Sequence, residues 1–429
     1  MTAPSNGSPD RPRILFIAEA VTLAQVVRLY ALARSLDPRR YDVHFASARF
    51  DERVFAGGEG FRRWPVTSLA PELVDKLVAS GKRIYDERTL AGYVEEEQGL
   101  LQSVRPALVV GDLRLSLAVS APLAGVPHAA LINAYWSPHA VRDGFPLPDH
   151  PIVRLLGERV AARYFPIALP KVFDHFARPL NQLRRQHGLA PVGSLPDALL
   201  FGDHTLFPDV PALVPTAGAP ARHRYLGPVP WAPALDPPSW WEAFDAARPI
   251  VYVTLGSSGR ADRLPLVLDA IRALGLQAMV ATAGRSAVSR DDLPPGVHAA
   301  ELLPGDRAAR RARLVICNGG SSTGYQALAE GRPVIGIASN LDQYLAMTAI
   351  EKAGAGRLLR AGSLTSAAVK DAIAGMLEDP APHAAARALA TEFARWDSGA
   401  RFRAFVDEVA QPAPALVSPS DPLAPVRGG

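Results

Sequence analysis

Asn318-Gly319-Gly320-Ser321-Ser322-Thr323-Gly324-Tyr325-Gln326-Ala327-Leu328 follows directly on the apolar run Leu314-Val315-Ile316-Cys317. That run reads as a buried parallel strand, and Gly324 to Glu330 reads as the helix after it. Between them lies a turn of small and hydroxyl-bearing residues. A strand-to-helix junction of this kind gathers free backbone N–H groups at the positive end of a helix dipole, which suits an anion. A second such turn, Leu255-Gly256-Ser257-Ser258-Gly259, closes Ile250-Val251-Tyr252-Val253-Thr254-Leu255. One Gly-Ser turn is common. Two in one strand series, able to wrap a diphosphate, are specific.

Outward from this stretch the same grammar repeats. Gln277 to Ala281 and Pro333 to Ile337 read as further strands with helical stretches between them. Upstream, Ile14 to Ile17, Tyr41 to Ala46 and Pro106 to Val110 read as strands of an earlier series. Thr22 reads as the N-cap of a helix carrying Leu29, Leu32, Ala33 and Leu36. Strands alternating with helices predict α/β architecture with two Rossmann-like βαβ domains. The segment from Gly227 to Pro249 holds Pro228, Pro230, Pro233, Pro237 and Pro238 without periodicity and reads as a stiff linker. The expected organisation is an N-terminal domain over 1–228, a linker over 229–249 and a C-terminal domain over 250–387. A helical segment over 388–410 and a disordered tail over 411–429 complete it.

Composition narrows the function. At 429 residues the chain is long for one core and suits two. Lys and Arg (46) exceed Asp and Glu (42) by only four, and no basic run is interleaved with aromatics, so nucleic acid is not the expected partner. The single cysteine, Cys317, sits in an apolar strand, which leaves no disulfide framework, zinc cluster or redox pair within the chain. The first residues lack the apolar core of a signal peptide, and no apolar stretch escapes interruption by charge or proline. A cytoplasmic protein is the expectation. No glycine lies between Ile14 and Leu36, which disfavours a dinucleotide site there.

The run from Asn318 to Leu328, with Gly331, Pro333 and the pair Asp342-Gln343, resembles the donor signature of UDP-glycosyltransferase-type, family 1-like enzymes of the GT-B fold. The resemblance implies two facing Rossmann-like domains and inverting transfer of a hexose-like sugar from a UDP- or dTDP-sugar co-substrate. It implies a small, partly apolar acceptor in the cleft, no cofactor and no metal; no Asp-x-Asp sequence occurs. It places Gly256, Ser257, Ser258, Gly319, Gly320, Ser322 and Thr323 on the diphosphate and Gln326 on the ribose. It places the Leu303 backbone on the base, and Asp342 with Gln343 on the sugar hydroxyls. A capped helix start is the structural reading of that last pair. The segment Ala388 to Val409 is expected to cross back onto the N-terminal domain.

Three positions depart from the pattern. Asn318 stands where the donor motif opens with His, Gln326 where Glu grips the ribose, and Gln25 where the catalytic His is expected. Asp112 holds the place of the carboxylate that orients that His. Without an imidazole, Asp112 becomes the candidate base, with Glu19 second; the structural reading of Asp112 is an N-cap. Tyr135, Trp136 and His139 are the candidate acceptor residues among many aromatics that otherwise read as core. Two other functions fit the altered site: a catalytically silent homologue acting as a binding partner, and a nucleotide-sugar epimerase on the same fold.

Overall fold

The computed structural model describes residues 11–55, 60–149, 151–256, 259–285 and 293–410. The first strand series comprises β1 (Arg13–Ala18), β2 (Asp42–Ser47), β3 (Arg62–Pro65), β4 (Leu108–Asp112), β5 (His128–Leu131), β6 (His204–Phe207) and β7 (His223–Tyr225). The second comprises β8 (Ile250–Thr254), β9 (Gln277–Ala281), β10 (Val297–Ala300), β11 (Leu314–Cys317), β12 (Val334–Ala338) and β13 (Gly356–Arg360). They form a seven-stranded sheet, β3-β2-β1-β4-β5-β6-β7, and a six-stranded sheet, β10-β9-β8-β11-β12-β13. All named pairings are parallel; Phe16 lies opposite Phe45 and Val110, and Val315 opposite Tyr252.

Period-two burial explains the layers. Ile14, Phe16 and Ala18 of β1 enter one core while Leu15 and Ile17 enter the other. In the second sheet Val251 and Val253 face one cluster, and Ile250 and Tyr252 the other. Both faces are covered by helices, as a parallel sheet requires. In each sheet the chain leaves a central strand in one direction and returns on its other side, so strand order reverses between β1 and β4 and between β8 and β11. Such switch points leave a crevice beyond the carboxyl ends of the strands, where α/β sheets bind ligands. Glu19 and Asp112 lie at the first crevice, Gly256 and Asn318 at the second.

The chain crosses between the two sheets twice. After β7 it runs through an irregular Pro-rich segment with one short 3₁₀ turn, Trp241–Ala243. The return is made by the Ser398–Val409 helix alone; residue 388 falls inside the preceding helix, Pro380–Phe393. Phe402, Phe405 and Val406 of the returning helix share the core of Phe16 and Tyr30, and Arg224 pairs with Glu408 at 2.6 Å. The crossings touch where Gly227, at a φ of 92°, lies against Trp396, leaving no room for a Cβ. The segments 1–10 and 411–429, including the expected tail, lie outside the described residues.

Candidate active site

The helix after β11 begins at Ser321, three residues earlier than its spacing predicts, and spans Ser321–Ala329. Ser321, Ser322 and Thr323 therefore form its first turn, whose N–H groups have no intrahelical acceptors. Gly319 takes a φ of 81°, and a Cβ there would meet the Met347 side chain at 2.9 Å, so only glycine fits this bend. Asn318 is buried; its Oδ1 accepts the Gly320 N–H at 3.2 Å, and its amide lies beside Gly256. The turn is thus braced by the residue that replaces the expected His. Ser257 and Ser258 lie outside the described residues.

Facing this turn from the first sheet is a group that sequence reading did not find. Arg28, on the Leu23–Ser35 helix, donates from Nε and Nη2 to the two oxygens of Asp112, at 3.0 and 2.8 Å, and from Nη1 to Asn133 Oδ1 at 2.7 Å. Asn133 donates to Asp209 at 2.9 Å and receives the Ser321 hydroxyl at 3.3 Å. Asp209 also accepts the Ala134 N–H at 2.6 Å and the Tyr325 hydroxyl at 2.5 Å. A continuous buried network therefore runs from the first helix of one domain to the donor helix of the other. A small cleft beside it is lined by Arg28, Asn133, Ser321, Ser322, Tyr325 and Gln326.

This arrangement corrects the reading of Asp112. It is neither an N-cap, a place taken by Ser116 for the helix that follows, nor a free base. It is fully buried with both oxygens on one guanidinium. Burial pushes its carboxyl up to about 6 against the pull of Arg28. Burial also raises the Asp209 carboxyl, against hydrogen bonds from Tyr325, Ala134 and Asn133. Arg28 sits amid Val26, Val27, Leu29 and Tyr30, all buried. A charge inside an otherwise apolar helical stretch was the signal for a buried partner.

Gln25 has a structural role at the start of its helix. Its Oε1 accepts the Thr22 N–H at 3.0 Å, closing a capping box at the helix start. Two of the three candidate acceptor residues bond the second domain. Tyr135 and Trp136 are buried, and their hydroxyl and indole N–H donate to the same Asp342 oxygen at 3.0 and 2.8 Å. They hold the second domain's carboxylate from the first. His139 lies against His223, with ring centroids 5.8 Å apart, and is not among these groups.

Asp342 and Gln343 occupy the first turn of the Leu341–Lys352 helix, which Asn340 caps. The structural reading thus holds for the helix start, yet Gln343 has a further property. Its Oε1 accepts from the Ser339 N–H and hydroxyl, while its Nε2 is buried without a protein partner. An orphan amide N–H pair beside a carboxylate with one oxygen left over is suited to sugar hydroxyls. Gln326 is turned toward the linker, donating to the Trp231 carbonyl at 3.1 Å. Leu303 is buried just before the Gly305–Arg311 helix.

A second charged cluster occupies the same edge of the first sheet. Arg114 donates to Glu97 at 2.6 Å and to Glu19 at 3.0 Å. Glu97 also accepts the Ser116 and Ser120 hydroxyls, both at 2.5 Å. Glu19 is also approached by the Tyr93 hydroxyl, at 3.4 Å from its other oxygen, and by the Ser68 hydroxyl. One guanidinium serves three carboxylates, Glu97 at 2.6 Å, Glu19 at 3.0 Å and Glu96 at 3.7 Å, so Glu19 has only a share of it. Burial pushes its carboxyl up to about 7, with Arg114 pulling the other way.

Among the described residues no group of three or more His, Cys, Asp and Glu is placed to hold a metal ion, and no helix is long and apolar enough to cross a membrane. Residues 265–400 match the family described as Erythromycin biosynthesis protein CIII-like, C-terminal domain. The chain is 47% identical over 398 residues to a PGL/p-HBAD biosynthesis glycosyltransferase of Mycobacterium tuberculosis (strain ATCC 25177 / H37Ra), covering 91% of this chain and 92% of the relative. It is 48% identical over 387 residues to a PGL/p-HBAD biosynthesis rhamnosyltransferase of Mycobacterium bovis (strain BCG / Pasteur 1173P2), covering 90% and 85%. The solved structure of the spinosyn rhamnosyltransferase SpnG complexed with thymidine diphosphate shares the fold, with a TM-score of 0.63 and 20% identity over 92% of this chain and 99% of that one. The chain belongs to the family of these mycobacterial proteins and is a glycosyltransferase of the GT-B fold.

Proposed function

We propose that the protein transfers a sugar, with inversion, from a nucleoside diphosphate sugar to a small acceptor, and that its donor is a dTDP-deoxyhexose in preference to a UDP-sugar. The observation that carries this reading is the opposition of Arg28 to the open first turn of the Ser321–Ala329 helix across the cleft. A departing diphosphate gathers negative charge as the anomeric C–O bond breaks. Helix N–H groups, the Ser322 and Thr323 hydroxyls and the Arg28 guanidinium answer that charge from two sides without a metal. Arg28 then supplies the cation that Asn318 lacks. Asp342 and the orphan amide of Gln343 hold the sugar hydroxyls. The preference for thymidine draws on the rhamnosyltransferase name of one relative and the thymidine diphosphate complexed with a structural neighbour.

Inversion needs one in-line attack, with the acceptor oxygen arriving from the first domain as the diphosphate leaves toward the second. Arg28 cannot accept the acceptor's proton, and Asp112 is committed to Arg28. Glu19, with a carboxyl near 7 and one oxygen free of charged partners, is the proton acceptor of this reading. Calorimetric titration with dTDP and UDP tests the donor, and product NMR tests the anomeric outcome. The expected result is tighter binding of dTDP, an inverted linkage and turnover unchanged by a chelator. Failure to bind either nucleotide, or retention at the anomeric carbon, would overturn the reading.

A further inference from the structure

Among the described residues, six of the eleven large apolar side chains that are exposed, Val172 included, lie on two consecutive helices. The Pro151–Leu156 helix and the Glu158–Gln186 helix that follows it carry Leu155, Leu156, Val160, Tyr164 and Ile167, with Leu155 83%, Ile167 73% and Tyr164 57% exposed. At about 100° per residue, Val160, Tyr164 and Ile167 fall within about 60° of arc, so they form one stripe. The opposite face, with Ala161, Leu169, Phe173 and Ala177, is buried. An exposed apolar stripe is costly in water and marks a docking surface.

The charges around the stripe say what covers it. Arg159 and Arg163 flank it, and Lys171 continues it by one turn, all exposed. Of the nearby acids, Glu158 reaches toward Arg360 at 3.6 Å, on the side of the second domain. Asp174 stands alone between Lys171 and Arg178. Cations beside aliphatic and aromatic side chains on the outer face of one helix fit an anionic lipid surface: the apolar groups enter the acyl boundary and the cations meet headgroup phosphates.

The position of the surface relates it to the site. Phe173, on the inner face of the same helix, packs edge-on against Phe145 at 4.9 Å, Phe145 lies 6.5 Å from Trp136, and the Trp136 indole bonds Asp342. Arg360 pairs with Asp149 at 3.0 Å just before the first of the two helices. An aromatic path therefore leads from the exposed helix face to the carboxylate of the donor site.

We propose that the protein docks on anionic bilayers through the face formed by Leu155, Leu156, Val160, Tyr164 and Ile167 with Arg159, Arg163 and Lys171. The docking does not depend on which nucleotide the donor carries. Flotation of the full chain with vesicles of phosphatidylcholine alone, or containing phosphatidylglycerol, tests it. The expected result is binding to the anionic vesicles, weakened by salt. Ile167→Asp should reduce binding roughly ten-fold or more, and Arg163→Glu by roughly 25-fold, at about five-fold for each of the two units of charge it changes. Both residues are exposed, so unfolding temperature and dTDP binding should stay as in the wild type. Three results would overturn the proposal. One is absence of binding to either vesicle, and another is equal binding by Ile167→Asp. The third is a dimer in light scattering that Ile167→Asp dissolves while vesicles remain unbound, which would make the face a contact between two copies of the chain.

Discussion

The two sheets meet the cleft with opposite chemistry. At the switch point of the second sheet the chain offers glycine, small hydroxyls and backbone N–H groups, with Asn318 buried as a neutral brace. At the switch point of the first sheet it offers buried charges, Arg28 on Asp112 and Arg114 between Glu19 and Glu97. A neutral, backbone-built edge leaves its dipole free for an anionic ligand. A charged edge must first compensate itself, because each buried ion left alone costs several kcal/mol. The difference assigns labour. In the proposed function the second domain grips, and the first supplies a positioned cation.

Removing that cation should have the largest effect. Arg28→Met should lower turnover by roughly 10²–10³-fold, the span for losing a donor to developing negative charge. It should also destabilise the fold by about 3–5 kcal/mol, because Asp112 is left buried and unpaired. The double variant Arg28→Met with Asp112→Asn should recover much of the stability and none of the turnover. Near-normal turnover in the single variant would put the catalytic charge on the second domain after all.

A smaller effect separates the grip on sugar from the grip on phosphate. Asp342→Ala should weaken use of the donor sugar while leaving affinity for bare dTDP nearly unchanged. Thr323→Val should weaken both, by roughly 1–3 kcal/mol, through loss of a phosphate donor. Calorimetry on the two variants decides between them, and equal losses for free dTDP would contradict the assignment. Tyr135→Phe adds a control, since it frees Asp342 of one of its two interdomain donors without touching the nucleotide.

The same contrast explains what could be read from the sequence. The edge of the second sheet is local: strand, turn and helix lie within Leu314 to Ala329, and β9 and β11 fall where spacing places them. The edge of the first sheet is assembled from Arg28, Asp112, Asn133 and Asp209, residues up to 181 positions apart that no short motif links. Strands β3, β5 and β7 were equally silent, because, unlike the four-residue apolar run of β11, each holds Arg or His and no β-branched residue. Tyr135 and Trp136 were legible as candidate acceptor residues. Their bond to Asp342, more than 200 positions away, was not.

The smallest effect concerns the charged edge alone. Glu19 has a folded-state carboxyl near 7 against an ordinary value of 4.5, raised by burial. Below about 4.5 both folded and unfolded chains hold the proton, so the group is neutral to stability. Between about 4.5 and 7 the folded chain keeps a proton that the unfolded chain releases, so stability falls as pH rises, and above 7 the loss is complete. Asp112, pushed up to about 6 by burial, adds a loss of the same sign. Glu19→Gln removes one titration and leaves the other, so the difference between wild type and variant isolates Glu19. Thermal unfolding from pH 5 to pH 8 should show the wild type losing on the order of 1–3 kcal/mol more than Glu19→Gln, after allowing for Arg114, which can follow the charge. Arg114 keeps Glu97 in the variant, so the fold should survive the substitution. Parallel pH curves would mean that Arg114 holds Glu19 ionised throughout. Glu19 would then be a fixed member of the charged edge, and its place as the proton acceptor would be lost with it.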